Sequence, residues 1–417
     1  MTYMGGFQPS ITDALLADVA RKVQLSPTNY RLAIERYRII NEWLDREGSV
    51  LRGKVRLMYP QGSMATGTTV SSRLEHDEFD IDLMAELADE FRGWHPRDIL
   101  DTLFDAINGE EGSRYHGKVE RMTRCVQVQY EGMHIDVTPA TLIAGRVARV
   151  SHICHSKREK PRAEDHRPVA NPWGFGEWFK DQMPLPLSEG ARMSTLAKAS
   201  EAVPVEEQPE LHERSLPVIA TQLVKRWRNK KYDGREGRCP PSVLLSCLIG
   251  ERSGHLLAAG KVQRSLHATL LDLVIYILAQ FEAAERVGRL IHRTNPACPG
   301  DEVLTDRWPA AGRDQRQFID DLEDFAAKLD LLGRDDLSLA QRNELLSDMF
   351  GERAAALAME DLRKRLDEQA RGGNVLHRLG TGAVLAAPAI AATPTAKPAS
   401  SGVRAAPRST SYGSDEG

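Results

Sequence analysis

The fold prediction for this sequence rests on two stretches, Gly62-Ser63 and Phe79-Asp80-Ile81-Asp82-Leu83. Successive side chains of a β-strand point to opposite faces, so Asp80 and Asp82 share one face and the apolar residues share the other. Two carboxylates about 4 Å apart repel by about 4 kcal/mol at an effective dielectric constant of about 20, and a bound cation relieves that repulsion. Mg²⁺ prefers oxygen ligands and is often held by one or two carboxylates together with substrate phosphates. The stretch therefore predicts a strand that carries a magnesium site.

The segment before these acids has the pattern of a strand followed by a phosphate-binding turn. Apolar residues from Val55 to Pro60 predict the strand, which leads into Gln61, Gly62 and Ser63. A glycine lets backbone N–H groups approach a phosphate closely, and a serine hydroxyl adds one more donor. We therefore expect this turn to hold phosphate groups beside the acids.

A third acid, Asp136, repeats the apolar-acid-apolar pattern between Ile135 and Val137. This pattern predicts a neighbouring strand that brings a third carboxylate to the pair. Alone, a Gly-Ser pair carries no information and an Asp-x-Asp pair is weak, since solvated strand faces often carry alternating acids. The order of the three motifs and their apolar flanks favour a functional site over a solvated surface.

The fuller strings Gln61–Thr68, Glu78–Leu83 and His134–Pro139 resemble the polymerase-β-type nucleotidyltransferase core and, more closely, the bacterial cGAS/DncV-like nucleotidyltransferases, or CD-NTases. Those enzymes make cyclic oligonucleotide signals in anti-phage defence, in the system called CBASS. The resemblance implies an α+β fold in which a polymerase-β-like sheet domain and a C-terminal helical lobe form the active-site cleft between them. It covers roughly residues 25 to 365.

The resemblance also implies roles for the residues of the sheet domain. Asp80, Asp82 and Asp136 would be the catalytic and metal-binding residues, holding two Mg²⁺ ions for which Mn²⁺ can substitute. Gly62 and Ser63 would cradle the β and γ phosphates of a bound nucleotide. Asp136 would also help to accept the proton of the attacking hydroxyl.

The first helix of the predicted lobe carries a basic stretch. Between residues 221 and 238 there are seven Lys or Arg and two acidic residues, which predicts a positive surface able to hold a triphosphate. The alternative is a solvated helix end with cations near its C-terminus. The resemblance implies that Lys225, or its neighbour Arg226, and Ser242 contact the donor triphosphate. Trp227 is expected in the core rather than against a base.

Composition is that of an ordinary globular chain long enough for two domains. The 417 residues are 41% hydrophobic and 27% charged with a net charge of −4, which argues against an obligate nucleic-acid coat protein. The cysteines are odd in number, scattered and without a Cys-x-x-Cys pair, which is typical of reduced thiols. The five are Cys125, Cys154, Cys239, Cys247 and Cys298.

Apolar spacing and turn residues divide the chain into five predicted segments. These are N-terminal helices that bridge both lobes in 1–50, a catalytic core in 51–183, a flexible connection in 184–215, a helical lobe in 216–371 and a disordered tail in 372–417. Core strands are expected near 55–60, 78–87, 119–130 and 133–137, with a helix over 96–107. Late helices are expected over 314–332 and 338–370.

No secretory pattern opens the chain, and its longest apolar run, 382–392, is short and broken by Pro388, so we expect a cytoplasmic protein that does not enter a membrane. Some family members are attached through their C-terminus to other molecules by a ubiquitin-like conjugating partner. The tail ending at Gly417 resembles what such a partner requires, and a plain dispensable tail is the alternative.

These observations favour a template-independent nucleotidyltransferase that joins ATP, GTP or other NTPs into a cyclic di- or trinucleotide with release of pyrophosphate. Cyclisation is implied by the resemblance alone. One alternative is an enzyme that makes a linear oligonucleotide or adds a tail. Another is a nucleotide-binding scaffold without catalysis, although such a scaffold need not keep all three acids. Base identity, ring size and linkage stay open.

Overall fold

The computed structural model describes residues 10–71, 79–146, 149–184, 214–261, 263 and 265–371, with two further short strands. The chain divides into two compact units, Met1–Lys364 and Arg365–Gly417. Most of the predicted connection, residues 185–213, lies outside the described residues. The finer domain boundaries that the sequence suggests stay predictions.

The first unit has a mixed sheet in its N-terminal half and helices in its C-terminal half, which confirms the predicted α+β class. The helices are α1 Ile11–Val23, α2 Pro27–Leu44, α3 Gly62–Ala65, α4 Pro96–Asn108, α5 Pro172–Asp181, α6 Leu216–Tyr232, α7 Ser242–Ala258, α8 Leu266–Arg286, α9 Gly312–Leu332, α10 Leu339–Phe350 and α11 Glu352–Arg371. The strands are β1 Val55–Pro60, β2 Phe79–Leu87, β3 Val119–Arg121, β4 Val126–Tyr130, β5 Met133–Leu142, β6 Ser151–Ile153 and β7 Val169–Ala170.

The sheet has the order β1-β2-β5-β4-β3, and β6 and β7 continue from the far end of β5. β2 and β5 run parallel, whereas every other pair of these strands is antiparallel. Apolar side chains of the two central strands, such as Ile81 and Ile135, are fully buried in a core that includes residues of α2 and α4. Because side chains alternate along a strand, the acids of β2 and β5 lie on the opposite face of the sheet.

The two N-terminal helices contact different parts of the first unit. α2 begins as predicted, with the Ser26 hydroxyl accepting a hydrogen bond from the N–H of Asn29 at 3.1 Å and Pro27 in the first turn. Its Tyr37 hydroxyl donates to the carbonyl of Met58 in β1 at 2.5 Å. α1 packs instead against α6 and α8. The pair therefore contacts both the sheet half and the helical half.

Three of the predicted strands and helices differ clearly from those in the structure. The single strand expected over 119–130 is two strands, because the N–H of Met122 bonds to the carbonyl of Cys125 in a tight turn. β5 is longer than expected and continues to Leu142. The helix expected over 338–370 is two helices, because Gly351 has a φ of 98°, which interrupts helical geometry.

α6 lies at the centre of the helical half and packs against α1, α7, α8 and α10. Its Trp227 is 2% exposed and stacks on Phe325 of α9, with ring centroids 4.4 Å apart and planes within 4°. This confirms the prediction that Trp227 belongs to the core. Among the described residues, only α8 has the length and apolar composition of a membrane-crossing helix, and it packs against α6, α7 and α9.

In the second unit, the structure describes an antiparallel hairpin of β8 Val375–His377 and β9 Val384–Ala386. The composition of this segment predicts disorder. Both strands begin with the β-branched residue valine, which favours extended backbone. The rest of the predicted tail, including Gly417, lies outside the described residues.

Replacing Trp227 with alanine should lower the free energy of unfolding by about 3–5 kcal/mol, because it removes a large buried ring and its stacking partner's contacts. Denaturant unfolding monitored by circular dichroism measures this change. Val287→Ala is the matched control, since Val287 is 65% exposed and its loss should cost less than about 1 kcal/mol. Equal midpoints for the two variants would contradict the assignment of Trp227 to the core.

Candidate active site

The parallel pairing of β2 and β5 brings the predicted acids onto one patch of the sheet. Asp82 lies directly opposite Asp136, and Asp80 lies opposite His134, one step along the same face. Asp82 and Asp136 are half-buried and Asp80 is exposed. From the next strand, the Nε2 of Gln127 donates a hydrogen bond to Oδ1 of Asp136 at 2.9 Å, which fixes that carboxylate. The three acids that the sequence singles out therefore come from two adjacent strands.

The charges at this patch act on one another. Burial, followed by the negative charges of Asp136 and Asp80, raises the pKa of the Asp82 carboxyl to about 7, and the cation of Lys225 opposes the change. A carboxylate that resists ionisation beside two others is the signature of an acidic site that gains from a cation. The electrostatics therefore agree with the geometry.

Gly62 lies beside Asp82 in a backbone conformation that favours glycine. Its φ is +58°, and a Cβ added at this position would come within 2.8 Å of Oδ2 of Asp82. The N–H of Gln61 also donates to the carbonyl of Asp82 at 2.9 Å, which holds the turn against β2. The turn that the sequence predicts to hold phosphates thus lies beside the predicted metal-binding carboxylates.

The residues after Gly62 form a loop held by its own hydrogen bonds. The hydroxyl of Ser63 shares a bond with that of Thr69 at 3.2 Å, and the carbonyl of Ser63 accepts from the N–H of Thr68 at 2.8 Å. Thr66 and Thr68 share a bond between their hydroxyls at 2.8 Å. This internal bonding pre-organises the loop, which costs less than ordering it when a phosphate binds.

Lys225 of α6 bonds to this loop, and its neighbour Arg226 bonds to α10. The Nζ of Lys225 donates to the Thr68 hydroxyl at 2.6 Å, whereas the Nε of Arg226 donates to the carbonyl of Phe350 at 2.9 Å, in the helical half. Burial, then the nearby charge of Arg228, lowers the pKa of Lys225 to about 7, while Asp82 opposes the change. Of the two candidates that the sequence leaves, Lys225 has a bond to the described part of this loop.

Two other residues of α6 bond to the same loop, and sequence reasoning missed them. The side chain of Gln222 donates to the carbonyl of Thr69 at 3.2 Å, and that of Asn229 donates to the carbonyl of Ser71 at 3.4 Å. With Lys225 they are three and four residues apart, which is the spacing of one helix face. That spacing is visible in the sequence, but the partner carbonyls are not.

Ser242 is the first residue of α7 and is half-buried. The Nη1 of Arg228 donates to the carbonyl of Pro240 at 2.9 Å, so the start of α7 lies against α6. Lys225 and Ser242 therefore come from neighbouring helices, as the resemblance implies.

The positive surface predicted between residues 221 and 238 is reduced toward its C-terminal end. Lys231, in the last turn of α6, and Arg235, just after the helix, both pair with Asp321 of α9, at 3.6 and 2.6 Å. Each of these two cations therefore already has a carboxylate partner.

The residues present suit Mg²⁺ by the chemistry of the donor set, because Asp80, Asp82 and Asp136 offer only hard oxygen ligands. The missing Cβ at Gly62 leaves space directly beside Oδ2 of Asp82. As they stand, however, the side chains of the described residues do not gather three or more Asp, Glu, His or Cys ligands around one point. The two strands supply the ligand residues, and their side chains would have to move closer together to bind an ion.

Comparison with known proteins agrees with this geometry. The family model described as "Second Messenger Oligonucleotide or Dinucleotide Synthetase domain" (SMODS) matches residues 11–165. The cyclic dinucleotide synthase CdnG of Bradyrhizobium diazoefficiens is 34% identical over 369 residues, which cover 86% of this chain and 84% of that protein. The chain belongs to the CD-NTase family of cyclic dinucleotide synthases.

Two further matches extend over most of this CD-NTase. The structure of B. diazoefficiens CdnG in complex with GTP superimposes with a TM-score of 0.70 at 31% identity, covering 85% of this chain and 99% of that one. A c-di-GMP synthase of Roseivirga ehrenbergii is 24% identical over 371 residues, covering 89% of this chain and 92% of that protein. The predicted family, fold and nucleotidyltransferase activity are confirmed, and the product class narrows to a cyclic dinucleotide.

Gly62→Ala should reduce synthesis at least about a hundredfold, because its Cβ would collide with the Asp82 carboxylate at the site where metal and phosphate meet. Pyrophosphate release measures this loss. Gly67→Ala is the matched control, since Gly67 has a similar φ of +66° with no atom within 4 Å of the added Cβ. The control carries the same backbone strain without the collision, so equal losses in both variants would contradict this explanation.

Asp82→Asn should stabilise the metal-free protein above pH 7. Because the pKa of Asp82 is raised from 3.8 to about 7, the folded state holds this proton more tightly than the unfolded chain, and ionisation destabilises the wild type. The variant should gain about 1–3 kcal/mol at about pH 8, and the gain should vanish as the pH falls toward about 4.

Urea unfolding at several pH values in chelator measures this gain. The control is Asp98→Asn, because Arg162 holds the pKa of the Asp98 carboxyl below its usual range, so that substitution should bring no gain. A variant no more stable than the wild type at pH 8 would show that Asp82 is not electrostatically strained.

Proposed function

We propose that this CD-NTase joins two nucleoside triphosphates, at least one of them GTP, into a cyclic dinucleotide and releases pyrophosphate at each step. The observation that carries the proposal is the patch formed by Asp80, Asp82 and Asp136, with Gly62 beside it. GTP is favoured because the relative whose structure matches was solved in complex with GTP, and a second relative is named a c-di-GMP synthase. ATP is the other substrate to be tested.

The three carboxylates would hold two Mg²⁺ ions. Bound there, the ions would lower the pKa of the attacking ribose hydroxyl and neutralise charge on the departing pyrophosphate. The chain itself supplies the rigid support, since Asp82 and Asp136 lie on adjacent hydrogen-bonded strands and Gln127 fixes the second of them. Pre-organised charges of this kind are the largest contributors to phosphoryl transfer.

The remaining site residues would bind the donor triphosphate. Gly62 lets the chain approach a phosphate without a side chain in the way, and Ser63 offers a hydroxyl. Lys225 brings a buried cation from the helical half, and a phosphate would raise the pKa of Lys225 by stabilising its charged form. Ser242 adds a donor at the start of α7.

Two successive transfers at the same acids account for a cyclic product. After the first bond forms, the linear intermediate keeps a triphosphate at one end and a ribose hydroxyl at the other, and its second transfer closes the ring. We further propose that the protein acts in the cytoplasm in anti-phage defence, where a cyclic dinucleotide serves as a signal.

Asp80→Asn and Asp82→Asn should each abolish Mg²⁺-dependent synthesis, with a loss of at least about a thousandfold, because each removes a charged metal ligand. Mass spectrometry of the products formed from all four NTPs measures the yield and identifies the bases. Asp98→Asn, at an exposed acid paired with Arg162, is the control and should keep full activity.

A product that keeps a phosphatase-sensitive end would contradict cyclisation. Unchanged turnover in either site variant would place the reaction elsewhere in the chain.

A further inference from the structure

Arg228 differs from two cations that follow it in the chain, Lys231 and Arg235, in the kind of partner it has. Lys231 and Arg235 pair with the carboxylate of Asp321. The guanidinium of Arg228 instead bonds to neutral oxygens, with Nε and Nη2 donating to Oδ1 of Asn229 and Nη1 donating to the carbonyl of Pro240. Within the described part of the chain, no carboxylate forms an ion pair with it.

This guanidinium lies in surroundings that oppose its charge. It is half-buried, and burial is the main cause that lowers the pKa of Arg228. It lies close enough to Lys225 for its charge to help lower the pKa of that lysine. Two cations held near one another, partly away from water and without a paired carboxylate, are unfavourable unless an anion joins them.

The position of Arg228 connects the parts of the triphosphate site. It follows Lys225 by three residues, so both side chains lie on neighbouring parts of one helix face. Its bond to Pro240 holds the segment that begins α7, two residues before Ser242. Its partner Asn229 bonds in turn to the carbonyl of Ser71, at the end of the loop that follows Gly62.

We propose that Arg228 is a second triphosphate-binding cation, which together with Lys225 receives the terminal phosphates of the donor nucleotide. The inference rests on the proposed function and adds a residue to its site. Three of the five N–H groups of the guanidinium are used by Asn229 and Pro240, so two remain for phosphate oxygens. A guanidinium binds phosphate through paired donors, and the neutral bonds hold this one in place beforehand.

A consequence is that Arg228 distinguishes triphosphates from shorter phosphates. A nucleoside monophosphate has no β or γ phosphate to reach α6, so its binding should not depend on Arg228. Lys225→Ala would remove one cation of the pair, whereas Arg228→Gln removes the other and keeps a side chain able to bond to the Pro240 carbonyl.

The test measures binding by the full chain of inorganic tripolyphosphate, GTP and GMP, using titration calorimetry in magnesium buffer. Arg228→Gln should weaken tripolyphosphate and GTP binding at least about tenfold and leave GMP binding unchanged. Arg228→Lys keeps the charge but loses the paired donors, so it should recover part of the loss. Lys231→Gln is the matched control and should bind all three compounds as the wild type does.

An Arg228→Gln protein with wild-type tripolyphosphate affinity would overturn the inference, as would an equal loss for GMP. If Arg228→Gln does not fold, wild-type affinities in Arg228→Lys overturn it and a selective loss for the triphosphates supports it. Tripolyphosphate binds without turnover, so its binding can be measured whether or not the protein is active. If the wild type makes no cyclic dinucleotide but Arg228→Gln still weakens tripolyphosphate binding, only the proposed function is contradicted. If the wild type makes the cyclic dinucleotide but Arg228→Gln binds tripolyphosphate as tightly as the wild type does, only the inference about Arg228 is contradicted.

Discussion

The parallel pairing of β2 with β5 is the constraint on which the site depends. Among the described strands of the sheet it is the one parallel pair, and its register sets Asp82 opposite Asp136. A shift of one residue would turn Asp136 toward the core and Ile135 toward the site. Burial of Ile81 and Ile135 on the other face prevents that shift. The apolar core therefore fixes the carboxylates, and burial together with repulsion from Asp136 and Asp80 raises the pKa of Asp82.

Gly62 and Lys225 show how the chain contains this repulsion. The glycine places no side chain against the Asp82 carboxylate, and the lysine brings a positive charge from the helical half. Burial disfavours both charges, so the carboxyl of Asp82 has a raised pKa and the amine of Lys225 a lowered one. Both groups favour their neutral forms more than they would in water. In the proposed function, a metal ion beside Asp82 and a phosphate beside Lys225 would favour the charged form of each group.

Much of the sheet half could be predicted from the sequence, because strand alternation is a local property. Alternation identified Asp80, Asp82 and Asp136 and predicted that Asp136 lies on a neighbouring strand, but it did not predict the register that sets Asp82 opposite Asp136. The choice between Lys225 and Arg226 was beyond the sequence, since neighbouring residues on a helix differ in direction by about 100° and only packing decides which reaches the site. The basic surface was overestimated for a similar reason. Asp321, which pairs with Lys231 and Arg235, comes 86 residues or more later in the chain.

The loop after Gly62 links the two halves of the fold. On one side its Ser63 and Thr69 bond within the loop beside the acids, and on the other its Thr68 accepts from Lys225. A phosphate bound to this loop therefore acts on the contact that joins sheet and helices. Because α6 bonds to the loop through Gln222, Lys225 and Asn229, a phosphate bound there would exchange some of those polar bonds for its own. In the proposed function, binding of the donor and alignment of the two halves would then be coupled, and positioning would contribute to transfer.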